Sequence, residues 1–582
     1  MEQARGWGDF MLKKGLIFAF IVTIMTVLSV LGLLYFKSYE PQNIAKAYPQ
    51  NEANIVIEDI ALKSDVYSVI EGDRIYIPVD IIREYLNSGI VLDEDDNRLY
   101  LEIKNPIFNL ETQKLDNMIK DGVKLNFLTV NIDGKQYLNI RGLEKIFDIN
   151  VNYIQETNTL IIDRLKDIIK VGKIRSNTYL RPKKSSFSFV MDKLQEGDEV
   201  IVFEENEKWL KVRTQKGYVG YVQNKVVDIK VENVKIDRKI NNIRQNVKID
   251  GKINLVWDYV YKYSKDLSKE NKIEGLDIIS PTWFSIDSNG YIINNGDFSY
   301  VNQAHKKGYK VWALIDNQFN RDLTKQFLKS GQAQENLIKQ LVVYSSIYDL
   351  DGINIDFENV YYEDKDKLTE FVKKLTEALK QQNIIVSMDM TIPSTNPNWS
   401  KFYDRKKLSK ILDYCIVMTY DEHWATSPKS GSVASIGWVI NGIENSLKYI
   451  PKEKLIMGLP FYTRQWEEYK DNTGRLRVKS KVLTMEDVEK IIKENNLEVI
   501  WLKEAGQYYT EYFREGKKYR IWIEDDKSIE LKAKMVYRYD LAGVASWRKG
   551  FEKESIWTVL NDIIKLNNKD IGISVISFNG LN

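Results

Sequence analysis

Between about residue 250 and residue 565, short apolar runs return eight times, most of them followed by a stretch of helical periodicity. The runs are 254–260 (NLVWDYV), 276–284 (LDIISPTWF), 310–316 (KVWALID), 352–358 (GINIDFE), 384–391 (IIVSMDMT), 414–420 (YCIVMTY), 454–462 (KLIMGLPFY) and 542–548 (AGVASWR). Stretches such as 324–346 and 366–382 lie between them with helical patterning. Few folds accommodate that rhythm, and it predicts a (β/α)₈ TIM barrel. One interval is too long. Residues 464–540 carry extra strand-like material (GQYYTEYF, KKYRIWIED), which predicts an α+β insertion forming one wall of a groove.

In such a barrel, ligands meet the C-terminal ends of the strands. The fourth run ends Asn354-Ile-Asp356-Phe-Glu358. A strand repeats every two residues, so Asn354, Asp356 and Glu358 share one face, and Ile353, Ile355 and Phe357 the other. Three polar groups stacked inside a barrel cost free energy unless they hydrogen-bond one another. A satisfied core network is the plain alternative. A functional site is the favoured reading, because branched aliphatic side chains ordinarily fill these layers.

The segment Asp351–Glu358 resembles the signature D-G-x-D-x-D-x-E of glycoside hydrolase family 18, the chitinase-like family. Met418-Thr-Tyr420-Asp421 matches that family's M-x-Y-D at the end of strand six, and Trp547 ends strand eight, where the family places a sugar-stacking floor. Tyr259 and Trp283, at the ends of strands one and two, are expected to face the same mouth. "SPTWFS", "DGINIDFENVY", "MTYDEHW" and "GVASWRKG" look like the spore-germination and cell-wall branch of the family. The resemblance spans 250–565. It implies a retaining hydrolase in which the substrate assists, an exception to the usual pair of carboxylates. Glu358 would be the acid and later the base, and Asp356 would orient the acetamido N–H. Tyr420 would donate to the acetamido carbonyl, with Asp421 beside the distorted sugar. Met418 and Asp351 join Tyr259, Trp283 and Trp547 as expected substrate-binding positions.

One position departs from the signature, with Asn354 where the family has aspartate. In the full pattern that aspartate shares a proton with its neighbour, and packed like charges raise one pKa. Asparagine can hydrogen-bond Asp356 but takes neither proton nor charge, so the pH optimum and the proton relay are the properties affected. Plainer readings apply nearby. His423 and Glu422 are expected to fix their loop, and Cys415 to be a small core residue. For Asp389 on strand five, a supporting role and a structural one both stay open.

Residues 15–36 (GLIFAFIVTIMTVLSVLGLLYF) run without a charge and as a helix span ~33 Å, enough to cross a bilayer core. Arg5, Lys13 and Lys14 precede the run and Lys37 follows it, which predicts a single-pass anchor with residues 1–14 inside and the remainder outside. A cleaved signal peptide would have a shorter apolar core and an A-x-A-like site, and none is evident. Residues 37–52 read as a tether. Over 53–165, short alternating runs and a weak internal echo resemble the copper-amine-oxidase N-terminal-like stalk domain, an α+β module for which a spacer is the favoured reading and a wall-binding module the alternative. Residues 168–230, with "LRP", "GDEV", "WLKVRT" and "GYVGYV", resemble a bacterial SH3 domain, with Trp209 expected in its small-barrel core. The barrel is expected over 250–568.

Lys and Arg (84) nearly balance Asp and Glu (82), which speaks against a nucleic-acid partner. With one cysteine and two histidines no Cys/His metal cluster can form, and neither metal nor cofactor is expected. An almost cysteine-free exterior protein suits the envelope of a Gram-positive bacterium. The expected partners are therefore a glycan polymer (peptidoglycan, spore cortex or a chitin-like chain) and the cell membrane. The alternatives are a wall-binding lectin on the same barrel and a chitinase that digests nutrient glycan. Retention of Glu358 argues against the lectin, and the anchor with its SH3-like module argues against foraging.

Overall fold

The computed structural model describes residues 2–37, 52–63, 65–103, 110, 112–234, 249 and 251–566. Nearly all of the expected tether (37–52) and the end of the expected barrel span (567–568) lie outside the described residues. The chain divides into two compact units, one of residues 1–88 and 131–238, the other of 89–130 and 239–582.

In the first unit, Glu2–Lys37 is one helix. Among the described residues it is the single helix long and apolar enough, over Lys14–Gly32, to cross a membrane. Six strands of the same unit lie in the order Lys135–Asn139, Arg74–Pro78, Tyr67–Glu71, Glu52–Ile57, Thr159–Arg164, Ile149–Ile154, and the fourth and fifth of these run parallel. Residues 168–233 close a five-stranded antiparallel sheet around Leu180, Val200, Leu210, Val212 and Val222. Alternation along Trp209–Thr214 sends Leu210 and Val212 inward, so Trp209 is half-buried on the other face, not in the core as expected. Arg213, almost fully buried, makes two 2.6 Å bonds to the Asp163 carboxylate of the preceding sheet. Its planar fork matches the two oxygens.

The second unit is built on eight parallel strands: β1 (Ile253–Asp258), β2 (Ile278–Ile286), β3 (Lys310–Asp316), β4 (Gly352–Asp356), β5 (Ile385–Thr391), β6 (Tyr414–Met418), β7 (Leu455–Pro460) and β8 (Gly543–Trp547). They pair in sequence order, and β8 pairs with β1 to close the barrel. Gly543 permits that closure, since a Cβ there would lie 2.1 Å from the Ile253 carbonyl oxygen. Ile253, Leu255, Ile278, Trp312, Leu314, Ile416, Ile456 and Ala545 fill the interior in layers. Helices follow β2 to β6, whereas β1 leads to β2 through a single short turn at Leu267–Lys269. The long helix expected over 324–346 is two, Arg321–Lys329 and Gly331–Ile347, because Ser330 is extended and caps the second through its hydroxyl.

Residues 89–130 pack on the side of the barrel. Val91–Asp93, Arg98–Ile103 and Val123–Ile132 form an antiparallel trio. Arg98, 4% exposed, donates to Asn126 Oδ1, to the Asn294 carbonyl at 2.6 Å and to Asn295 Oδ1 at 2.6 Å. Asn126 bonds both the amide nitrogen of Asn294 and the carbonyl of Ile292, on the short strand that extends β2.

Between β7 and β8 the chain builds a five-stranded antiparallel sheet from Thr463–Lys470, Leu476–Leu483, Ile500–Leu502, Gln507–Arg514 and Lys517–Ile523. Helix Met485–Glu494, opened by a Thr484–Asp487 capping box, covers one face through Val488 against Leu483, Ile521 and Ile523. The other face lies over the loop after β6, where the Trp466 indole donates to the Gly431 carbonyl and Ser480 to that of Ala425. A fully buried ion pair, Lys532 with Glu524 at 2.6 Å, anchors the sheet's last strand to the helix that follows.

Candidate active site

Along β4 the side chains of Asn354 and Asp356 point inward, above Gly352, which leaves room for the Trp312 indole, and those of Ile353 and Ile355 point outward, as alternation requires. At the C-terminal mouth an open cleft of ≈1220 Å³ is lined by Asp356, Glu358, Asp389, Met418, Tyr420, Asp421 and Trp547. Trp257 and Trp547 meet edge to face at 5.9 Å. Tyr420 lies against Gly458, where a Cβ would come within 2.8 Å of its ring, so the glycine makes room for that tyrosine. Asp421 has a left-handed backbone (φ 56°) and accepts from the Tyr462 hydroxyl at 2.5 Å and from Arg464 at 3.3 Å. Farther out, Trp399, Trp424 and Phe319 are exposed along the walls, and Trp438 of helix Ile436–Leu447 faces the cleft.

Asp356, Glu358 and Asp389 are buried at the mouth without an ion-pair partner among the described residues, whereas Asp421 is part exposed and pairs with Arg464. Burial, then the charge of Asp316, pushes Asp356 up to about 7. Asp316 stands beside it in the β3–β4 register. Burial, then Asp356 and Asp421, raises Glu358 well above the usual carboxylate range. Burial, then Asp356, does the same for Asp389. Tyr420 and Tyr462 are held far above the phenol range by burial, so both stay protonated donors. A carboxyl held neutral at the edge of a cleft is equipped to give a proton, and an ionisable neighbour to orient a polar substrate group.

Residues 255–551 match the family described as Glycosyl hydrolases family 18. The chain belongs to glycosyl hydrolase family 18. It is a glycosidase of the chitinase-like kind. Two further regions match, 176–228 a bacterial SH3 domain and 55–162 a copper amine oxidase N-terminal domain. Among curated relatives is the uncharacterized glycosylase YvbX of Bacillus subtilis (strain 168), 30% identical over 49% of this chain and 84% of its own. The cortical fragment-lytic enzyme of the same organism is 22% identical over 43% of this chain, which spans 58% of that enzyme. Among solved structures, the C-terminal domain of a candidate chitinase from Desulfitobacterium hafniense DCB-2 superposes with a TM-score of 0.50 at 27% identity. That match covers 54% of this chain and all of that domain.

Within this family 18 barrel, several expected positions fall elsewhere. Asp351 precedes β4 at the opposite, N-terminal end, where it accepts from His305 Nε2 at 2.7 Å and from Lys310 at 3.0 Å, so it cannot touch a ligand at the mouth. Trp283 is 1% exposed and turned out of the barrel, because inward parity along β2 runs through Ile278, Ser280 and Thr282; its indole packs on Tyr300 and donates to Ser264. Tyr259 lies just past the end of β1, half exposed outside the cleft lining, with the Arg548 guanidinium over its ring at 4.7 Å. Trp257, two residues earlier, is the β1 aromatic that lines the cleft. Asn354 does not bond Asp356. It accepts from the Trp257 indole at 2.8 Å and donates to Ser387 and, at 2.9 Å, to Asp389. His423 and Glu422 hold the loop after β6, His423 through the Ser432 carbonyl and Glu422 through the Ser435 amide.

Three contributors lie beyond the motifs. Asn317, directly after β3, grips the backbone of Glu358, and Tyr462 with Arg464 follows β7. Asn317 and Tyr462 obey the strand-end rule that locates Asp356 and Tyr420, and that rule would have found them, whereas Arg464 belongs to the first strand of the insertion.

Proposed function

We propose that this family 18 enzyme is anchored to the membrane by its first helix and faces outward. There it cuts N-acetylglucosamine-containing glycan of peptidoglycan or spore cortex by retaining, substrate-assisted catalysis. The observation that carries the reading is the convergence on one cleft of Glu358, Asp356, Tyr420 and Trp547, with both carboxyls raised by burial. In the proposed reaction Glu358 gives its proton to the glycosidic oxygen. The carbonyl oxygen of the substrate's own 2-acetamido group attacks the anomeric carbon, the bond to the leaving sugar breaks, and an oxazolinium ion forms. Asp356 holds the acetamido N–H, and the Tyr420 hydroxyl donates to the acetamido oxygen as it attacks. Trp547 is the floor under the sugar. Glu358, now a carboxylate, takes a proton from water as that water opens the oxazolinium ring, which restores both the acid and the original configuration.

The relatedness to a glycosylase of Bacillus subtilis and to a cortical fragment-lytic enzyme supports envelope glycan as the substrate class. An apolar N-terminal helix and an SH3-type module suit an enzyme that works on its own wall.

The decisive experiment compares N-acetylated with chemically de-N-acetylated peptidoglycan, using wild type and Glu358→Gln. Hydrolysis is expected only for wild type on the acetylated polymer, with binding kept by the variant. Equal rates on both polymers would remove the acetamido group from the mechanism. Mass analysis of the released muropeptides identifies the bond cut, and a cytoplasmic N-terminal reporter tests the topology.

A further inference from the structure

We infer that Asp389 is a positioning residue that takes over the proton-sharing role vacated at position 354, so that the carboxyl partner of Asp356 stands on β5 instead of two residues before it on β4. The inference rests on the proposed function, because it presumes that Asp356 acts on a substrate. The parallel register pairs Asn354 with Ser387 and Ile355 with Met388. Continued by one residue, that ladder sets Asp356 beside Asp389 on strands ~4.8 Å apart. Both line the cleft, and both are buried. Asp356 Oδ1 accepts no hydrogen bond from any protein group.

Around Asp389 the groups are specific. The amide of Asn354 is oriented by the Trp257 indole, which donates to its oxygen, and this leaves Nδ2 to donate to Asp389 Oδ1 at 2.9 Å. The ionisable groups facing this place are Asp356 and Glu358 from β4 and the turn after it, Asp316 from β3, Tyr403 from the connection after β5, and Tyr420 beyond β6. None is a cation. Two carboxylates this close cannot both ionise, so the pair keeps one proton and one negative charge. Burial and Asp356 both raise Asp389, which makes Asp389 the holder of that proton. Its O–H then has the free Oδ1 of Asp356 to donate to, which fixes the Asp356 carboxylate. When Glu358 has given its proton away, the shared proton shifts towards Asp356. The negative charge moves to Asp389, which accepts from the Asn354 Nδ2–H. No proton enters or leaves the pair.

The full chain in detergent, with chitotetraose as probe, tests this. Asp389→Asn is expected to lower kcat 10- to 100-fold with little change in KM, and to remove one ionisation from the pH profile of kcat. The exchange Asn354→Asp/Asp389→Asn restores a carboxyl to the pair from the β4 side and is expected to recover most of the lost turnover. A merely structural role predicts no such recovery. Independently of turnover, the carboxylic-acid C=O stretch in infrared difference spectra at neutral pH is expected to lose one contributor in Asp389→Asn. Should that variant not fold, the wild-type infrared titration decides, with three protonated acids of the mouth expected to disappear as pH rises, that of Asp356 at about 7 and one of the other two absent in Glu358→Gln. Wild-type-like kcat and pH profile in Asp389→Asn, an unchanged acid band, or an exchange variant that folds but is no more active than Asp389→Asn would each overturn the inference. If wild type cuts no N-acetylated glycan at all, the proposed function falls, and the infrared bands still decide the protonation of Asp389.

Discussion

Asn317 and Glu358 hold each other by opposed hydrogen bonds: Asn317 Nδ2 donates to the Glu358 carbonyl at 2.7 Å and the Glu358 amide donates back to Asn317 Oδ1 at 3.0 Å. Nδ2 also donates to Thr324, so the amide cannot turn. The proposed acid sits just beyond β4, where no ladder bond fixes it, and this side chain from β3 supplies the missing restraint. A displacement of about 1 Å at a reacting group costs ~10²-fold in rate. Asn317→Ala is therefore expected to reduce kcat by about that factor with KM nearly constant, measured by reducing-end release.

Tyr420→Phe removes one hydroxyl and leaves the ring against Gly458. Loss of one preorganised donor costs about 10²- to 10³-fold in kcat. A drop in that range, with glycan affinity kept in calorimetry, is the expected result.

Asp356 links stability to pH. Its folded-state pKa is raised to about 7, so the neutral carboxyl favours the native state below the ordinary carboxylate range. That contribution disappears as pH rises through about 7, and folding with the ionised group costs a few kcal/mol, to order of magnitude. Asp356→Asn abolishes the penalty. The variant's thermal midpoint is expected to exceed wild type's by more at about pH 8 than at about pH 4, while turnover is lost.

Lys532 and Glu524 form a pair without solvent, with Gln507 and Ser528 also bonding the carboxylate. Lys532→Met strands that carboxylate. A loss of about 3–5 kcal/mol is expected in denaturant unfolding followed at the Trp residues of the insertion.

The barrel and the β4 stripe are legible in sequence because strand alternation is local, and 354, 356 and 358 obey it whatever the neighbours do. Trp283 misleads because its aromatic character suggests a sugar platform, whereas parity along β2 turns it outward, and a register shift between Thr282 and Phe284 blurs that parity. Asp351 is misread for a different reason. A motif residue at the start of a strand serves the opposite end of the barrel from one at its finish. The Asn354–Asp389 bond joins two strands, and no spacing within either strand contains it. The strand-end rule marks the position of Asn317, but its bond to Glu358 is silent in the same way, since that partner lies 41 residues on.

The clasp of Arg98 and Asn126 on Ile292, Asn294 and Asn295 bears on how this enzyme can be dissected. A fragment cut to the family-matched span begins at 255, and it would strip from five backbone or amide groups the partners now supplied from upstream. It would also uncover the flank of helix Gly331–Ile347, whose Tyr344 hydroxyl bonds the Asn126 backbone. The compact unit that holds the barrel is a discontinuous piece of polypeptide. Genetic separation of its modules has to splice 89–130 onto the barrel, because no single cleavage point yields it.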